Sequence, residues 1–411
     1  MPAPHGTDGD GMLKREELPV LVVQAESLGA LGVIRSLGRA GYPVHACATT
    51  PDAVGLASTY ATARVCCPPY AAPEFLPWLR SYLLGHGIRA IVPSESLLLA
   101  LRPVFAEFAP LLCCGDDAEI VYAGMSKYDL FSRLGAADSH RGSHLPPTLL
   151  MEDLSSPPTH AEVSALGLPL YLKVDGAYST TGETGAVFKA HTAREALEQV
   201  AVLAPRFRRG LLQGHVVGQG VGAFFLLHHG AVLAEFMHRR IHEVPHTGGA
   251  SSLRESWQHP AIRDDALAKL RQMRWQGVAM MEYRWNPETD AFALMEMNGR
   301  FWGSLHLALH AGVDFPRLLV DAFFGGDAEP VSAFPVGLRC RNTFPGELQY
   351  VYSRLRDSTL SVSARAWSVA EFFLLSLDPR VRTDLAFKGD RGPLVHGLRT
   401  AAKASARLLS R

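Results

Sequence analysis

The stretch Leu294-Met295-Glu296-Met297-Asn298-Gly299-Arg300-Phe301-Trp302-Gly303-Ser304 decides how this chain is read. Its first half alternates with period two, the pattern of a half-buried strand, and a strand over Ala291 to Asn298 puts Phe292, Leu294, Glu296 and Asn298 on one face. Upstream, Val278 to Trp285 alternates in the same way, with Val278, Met280, Glu282 and Arg284 on one face. The intervening Asn286-Pro-Glu-Thr-Asp290 is turn chemistry, so the two runs form a hairpin. A symmetric turn sets Glu282 opposite Leu294, and a register moved by two sets it opposite Glu296. In both registers the two carboxylates share a face.

Like charges converging on a half-buried sheet repel, and a divalent cation removes the conflict. Glu282, Glu296 and Asn298 offer the hard oxygen ligands that Mg²⁺ takes while keeping positions for water and phosphate; Mn²⁺ is the alternative ion. The competing reading is a solvent-exposed hairpin with acids placed by chance. Arg300 follows one step past the strand end beside Phe301-Trp302, where a guanidinium would hold an anionic intermediate.

The chain has 411 residues, which predicts two or three lobes rather than one core. Lys and Arg (40) balance Asp and Glu (40), so no net field recommends nucleic acid as a partner. Hydrophobic residues at 47% exclude extended disorder. Cys47, Cys66, Cys67, Cys113, Cys114 and Cys340 show no CxxC or Cys/His ligand spacing, and reduced thiols in a cytoplasmic protein are expected. Met1 to Glu17 reads as a loose polar tail without the apolar core of a secretory signal. The longest apolar stretch, Leu97 to Cys114, is interrupted by Arg102, Pro103, Glu107 and Pro110, so no transmembrane segment is expected.

From Pro19 onward a strand, a helix over Leu28 to Ala40 and a strand at Val44 to Ala48 make a βαβ unit. Helices over Phe75 to Leu84 and Ser96 to Leu101 and strands at Ala90 to Val92 and Leu111 to Cys114 continue a parallel sheet. Ser27-Leu-Gly-Ala-Leu-Gly32 suits close backbone packing or dinucleotide binding. A second unit places Lys173 in strand Leu170 to Val174, just ahead of the Gly/Ser/Thr loop Gly176 to Gly185, whose backbone donors and hydroxyls at Ser179 and Thr180 suit a triphosphate. Lys127, opening the helix to about Ala136, is either a phosphate ligand or an ordinary surface lysine. A third unit is expected to begin with strand Gly210 to Gln213. No internal repeat at a fixed period is found.

These pieces in this order resemble an ATP-grasp enzyme of the carboxylate-amine ligase kind, carbamoyl-phosphate-synthase-like, over about residues 18 to 325. The carriers are Glu296-x-Asn298-x-Arg300 preceded by Gly277-Val-Ala-Met-Met-Glu282, together with Ser126-Lys127, Leu172-Lys173 and Gln213-Gly-His-Val-Val-Gly218. The resemblance implies a mixed α/β and α+β architecture. A flexible tail (1–17) and a Rossmann-like, parallel-sheet pre-ATP-grasp domain (18–124) would lead into a small lobe (125–212) and a large lobe (213–326). A short helical extension (327–411) would close the chain.

The resemblance also implies roles. Glu282, Glu296 and Asn298 would hold Mg²⁺, and Lys127 and Lys173 would contact ATP phosphates alongside Ser179 and Thr180. Gln213, Gly214 and Val216 would line the adenine hinge. Arg300, with Lys173, would act in phosphoryl transfer, and Arg240 with Arg300 would bind the substrate carboxylate. Gly214 stands where many relatives place a glutamate, which leaves the ribose contact unassigned.

The implied activity couples a carboxylate to an amine through an acyl phosphate, giving ADP and phosphate. The expected partners are those small molecules, with a homodimer as the allowed assembly. Two other readings stand beside it: a non-catalytic ATP-binding regulator, and a carboxylase-like or carbamoyl-phosphate-type enzyme activating bicarbonate. Lys388 to Arg411 reads as a basic amphipathic helix, packed on the core or lying on anionic lipid.

Overall fold

The computed structural model describes residues 14–136, 144–246, 249–326 and 328–409. Three sheets organise it. The first is parallel, in the order β3 (Ala63–Cys66), β2 (Val44–Ala48), β1 (Val20–Val22), β4 (Ala90–Val92). Every residue of β1 and β4 is buried, as expected of parallel strands covered on both faces. Helix Leu28–Arg39 starts on Ser27, whose hydroxyl accepts from the Ala30 amide, and ends before Gly41 at φ +94°.

Two expectations change here. The anticipated strand Leu111 to Cys114 is one bridge, Leu112 to Ile91, because Pro110 sits in a 3₁₀ turn over Ala109–Leu111 and interrupts pairing. The edge strand β3 instead comes from Ala63–Cys66, where half-exposed and exposed residues alternate and the apolar signal is too thin to read. Gly29 and Gly32 are packing glycines: an added Cβ would lie 3.0 Å from the Trp302 carbonyl oxygen and 2.8 Å from the Leu305 side chain.

The second sheet is antiparallel, in the order β5 (Thr148–Met151), β8 (Gly210–Gly214), β6 (Leu170–Val174), β7 (Ala186–Ala190). Strand β8 belongs to this sheet and does not open the third unit, so it runs across residue 212. Leu170, Leu172 and Val174 pack on Val200 and Leu203 of helix Ala193–Leu203.

The third sheet has seven strands, in the order β13 (Phe292–Asn298), β12 (Gly277–Trp285), β9 (Gln219–His228), β10 (Ala231–Val244), β11 (Ala250–Ser256), β14 (Arg339–Arg341), β15 (Val381–Thr383). One face packs on helix Pro260–Gln272. The other shares a core with the first domain, where Val33 and Ile34 meet Phe224, Phe236, Trp302 and Phe315.

The extension past residue 326 therefore contributes two strands as well as helices, and it clasps the domains. Arg35, fully buried in the first domain, bonds Asp390 at 2.8 Å and the Leu385 carbonyl at 2.9 Å. Arg254 of β11 makes a two-pronged pair with the equally buried Asp384. All six cysteines are unpaired, four of them buried. No described helix is long and apolar enough to cross a membrane.

Candidate active site

The hairpin adopts the shifted register: Glu282 lies directly opposite Glu296, and Met280 opposite Asn298. A bulge between Glu282 and Tyr283 absorbs the shift, because Tyr283 pairs with Leu294 and Met295 is left over. That bulge is used, since the Met295 carbonyl accepts from Lys173 Nζ at 3.4 Å. Gly299 follows the strand because the Trp275 ring lies 2.4 Å from where its Cβ would be.

Three cations converge on the two carboxylates. Lys127 Nζ lies 3.2 Å from Glu296 Oε2, and Arg240 Nη2 lies 2.5 Å from Glu282 Oε2. Lys173 Nζ donates to the buried Gln213 Oε1 at 2.6 Å. Asn298 Nδ2 donates to Glu296 Oε1 at 3.3 Å. Asp175, not singled out from the sequence, builds this geometry: its Oδ2 accepts from Ser126 Oγ at 3.1 Å and from the Tyr128 amide at 3.0 Å. It thereby caps the helix whose first residue is Lys127. Its place two residues after Lys173, on the same strand face, was the available signal.

The electrostatics follow from burial. Desolvation raises Glu282, and neighbouring Glu296 adds to the rise while Arg240 opposes it. Glu296 is desolvated too, yet Lys127 and Lys173 hold it down at about 2. Burial lowers Lys173 to about 8, with Lys127 contributing and Glu296 opposing.

Lys173 thus titrates below its ordinary range, and the unfolded chain binds more protons between about pH 8 and 10.5. Its contribution to stability rises with pH across that window. The positive charge it offers an anion runs the other way and is lost as the pH passes about 8. Nucleotide affinity, followed by thermal shift, is expected to fall from pH 7.5 to about 9.5 in the wild type and to stay level in Lys173→Arg, whose guanidinium keeps its proton. An equal fall in both proteins would separate Lys173 from phosphate.

The other candidates are distributed as follows. Arg240 is buried, and its Nη1 also reaches the Gly249 carbonyl at 2.9 Å and Glu243 at 3.3 Å. Arg300 is one-third exposed and reaches Glu95 Oε2 at 3.3 Å through Nε and Nη2. Ser179 and Thr180 spend hydroxyl contacts on the loop itself: Ser179 Oγ accepts from the Glu183 amide at 2.8 Å, and Thr180 Oγ1 donates to the Pro205 carbonyl at 3.0 Å. The Gly214 amide donates to the Pro147 carbonyl at 2.9 Å, and Val216, half-buried, lies in the short link from β8 to β9.

A cavity of about 340 Å³ opens beside Arg300. Its lining includes Val22 and Val92 at the carboxyl ends of β1 and β4, Val33 and Leu99 from helices Leu28–Arg39 and Glu95–Leu101, and Glu95 and Thr184. Glu95 and the cavity were missed in the sequence because they form only when the first domain meets the end of β13. The three-sheet arrangement, with a carboxylate hairpin facing two lysines across the lobes, is the deciding feature. The fold is that of the ATP-grasp superfamily.

It is similar to the biotin carboxylase of Campylobacter jejuni solved as a β-γ-ATP complex, with a TM-score of 0.59 and 14% identity over 78% of this chain and 74% of that one. N5-carboxyaminoimidazole synthetase of Staphylococcus aureus complexed with ADP gives 0.58 and 13% over 78% and 80%. The L-amino acid ligase of Bacillus licheniformis gives 0.54 and 15% over 76% and 77%. No protein-family model and no curated protein matches the chain.

The residues present at this site fit a divalent cation. Among the described residues no group of three or more His, Cys, Asp or Glu side chains is placed to hold a metal by itself. Two facing carboxylates and an amide, however, form the partial set of hard ligands that Mg²⁺ accepts when phosphate and water complete its shell. The half-buried charges of Glu282 and Glu296 are met here by lysine and arginine.

Proposed function

We propose that the protein is an ATP-dependent carboxylate-amine ligase. The observation that carries the reading is the Glu282–Glu296 cross-strand pair, facing Lys127 and Lys173 and ending in Arg300 at the mouth of a cavity. Glu282, Glu296 and Asn298 would hold Mg²⁺, which supplies charge neutralisation on the transferring phosphate. Lys127 and Lys173 bind phosphate oxygens, and Gln213 fixes the Lys173 ammonium. The link from β8 to β9, with Gly214 and Val216, borders the adenine. Ser179 and Thr180 shape the phosphate loop.

The chemistry is set by charge. A carboxylate oxygen bonds to the γ-phosphorus as the bond to ADP breaks, and both partners are anions, so positioning and neutralisation dominate the barrier. Arg300 steadies the acyl phosphate, and the amine then attacks its carbonyl carbon and expels phosphate. The Gly176 to Gly185 loop, whose Thr184 reaches the cavity wall, keeps water from that carbon.

The cavity favours an organic acid over bicarbonate, because it is large and lined in part by valine and leucine. Within it Glu95 suits a cationic amino group and Arg300 a carboxylate, which places amino acids first among the acids to test. Arg240, closed in by Glu282 and Glu243, serves better as a counter-charge to the metal ligands than as a direct substrate contact.

The test is ADP release across a panel of amino acids and other small acids with amines. ADP that needs both an acid and an amine is the expected result, and ADP that needs bicarbonate alone would move the protein to the carboxylase reading. Arg300→Ala is expected to lower kcat by about 10²-fold while leaving the Mg-ATP thermal shift in place. A lost shift with unchanged kcat would assign Arg300 to nucleotide binding instead.

A further inference from the structure

The helix Val362–Leu377, in the extension past residue 326, has its apolar side facing outward. Only Ser368 on this helix is buried, and its hydroxyl accepts from Arg354 Nε of the neighbouring helix Leu348–Arg356. At 100° per residue, Val362, Ala366, Val369, Ala370, Phe373, Leu374, Leu377 and Trp367 fall within one continuous arc opposite Ser368. Trp367, Phe373 and Leu377 are 58%, 61% and 79% exposed.

The large side chains of this face present on the order of 600 Å² of apolar surface, so a contact between two copies would bury about 1,200 Å², the lower end of a stable interface. The neighbouring helix Leu348–Arg356 is anchored. His242 of β10 stacks on Tyr350 at 3.9 Å and bonds Glu347, and His246 bonds Asp357 at 2.8 Å.

We propose that a second copy of this chain covers the face, through an antiparallel pairing of helix Val362–Leu377 about a two-fold axis near Ala370. The order of side chains supports self-pairing. The first half of the arc holds Val362, Ser363, Ala366 and Trp367, and the second half holds Phe373, Leu374 and Leu377. Antiparallel contact about Ala370 sets Ser363 over Leu377, Ala366 over Leu374, Trp367 over Phe373 and Ala370 against Ala370, a self-complementary arrangement for a two-fold dimer.

The other occupants fit less well. The segments outside the described residues, 1–13, 137–143, 247–248, 327 and 410–411, contain no apolar run long enough to fill the face. The charges around it, Arg356, Arg365, Glu371, Asp378 and Arg380, are of mixed sign, whereas an anionic lipid surface selects a basic rim.

Sedimentation velocity of the full chain across the micromolar range tests this, with Phe373→Glu and Ala370→Glu as variants on the exposed face. The wild type is expected to dimerise, and each variant to weaken the dimer by at least about tenfold while its circular dichroism and Mg-ATP response stay unchanged. Hydrogen exchange gives a reading independent of the variants: protection of residues 362–377 should rise with protein concentration. A monomeric wild type, a dimer indifferent to both substitutions, or co-sedimentation of the monomer with phosphatidylserine vesicles would overturn the proposal.

Discussion

Glu296→Gln is expected to reduce ADP-forming turnover by at least about 10²-fold, with the fold retained. The substitution keeps the shape of the side chain and the Asn298 contact while removing the charge that Lys127 and Lys173 hold at about 2. Two consequences should appear together. The proposed cation site keeps one carboxylate of its facing pair, and Lys127 and Lys173 lose the anion that sets their spacing. In a thermal melt, nucleotide at about 100 times its dissociation constant is expected to stabilise the wild type by roughly 2.7 kcal/mol. The Mg²⁺-dependent part of that shift should shrink in the variant. Unaltered turnover would remove Glu296 from the metal site, and a wild type that ignores millimolar Mg-ATP would remove the nucleotide reading itself.

Asp384→Ala should have the largest effect on stability. Asp384 is fully buried, and it is the carboxylate that neutralises the buried Arg254 guanidinium. Its carboxyl is held below the ordinary range by Arg254, whose attraction with its hydrogen bonds outweighs the opposing desolvation. Truncation leaves a buried cation without its partner, at a cost of about 3–5 kcal/mol. The loss is expected as a lower guanidinium chloride midpoint. It should be much smaller in Arg380→Ala, where the contacting pair lies at the surface. A small effect of Asp384→Ala would mean that the segment around Asp384 and Asp390 does not clasp the domains.

Much of the fold could be read along the chain. Strands Leu170–Val174 and Val44–Ala48 and helix Ala193–Leu203 emerge at the expected residues, because each has a clear period and a polar or glycine boundary. The failures are equally physical. Strand Ala63–Cys66 is an edge with half its residues exposed, so hydrophobicity cannot mark it. Leu111 to Cys114 has the apolar content of a strand, but the 3₁₀ turn containing Pro110 leaves it a single bridge. Asp175 and Glu95 were not legible, since capping a distant helix and walling a cavity are relations between segments.

The sequence by itself determined the carboxylate hairpin, the two lysines and the arginine at the strand end, because periodicity within one strand fixes which side chains share a face. It left two registers open for Glu282, and only the packed sheet chose the one that sets it opposite Glu296, by placing a bulge at Met295 whose carbonyl meets Lys173. The tertiary structure alone turned the C-terminal extension into a clasp, through Arg35 with Asp390 and Arg254 with Asp384. Those partners lie 355 and 130 residues apart, and no local pattern encodes which buried charge will find which counter-charge.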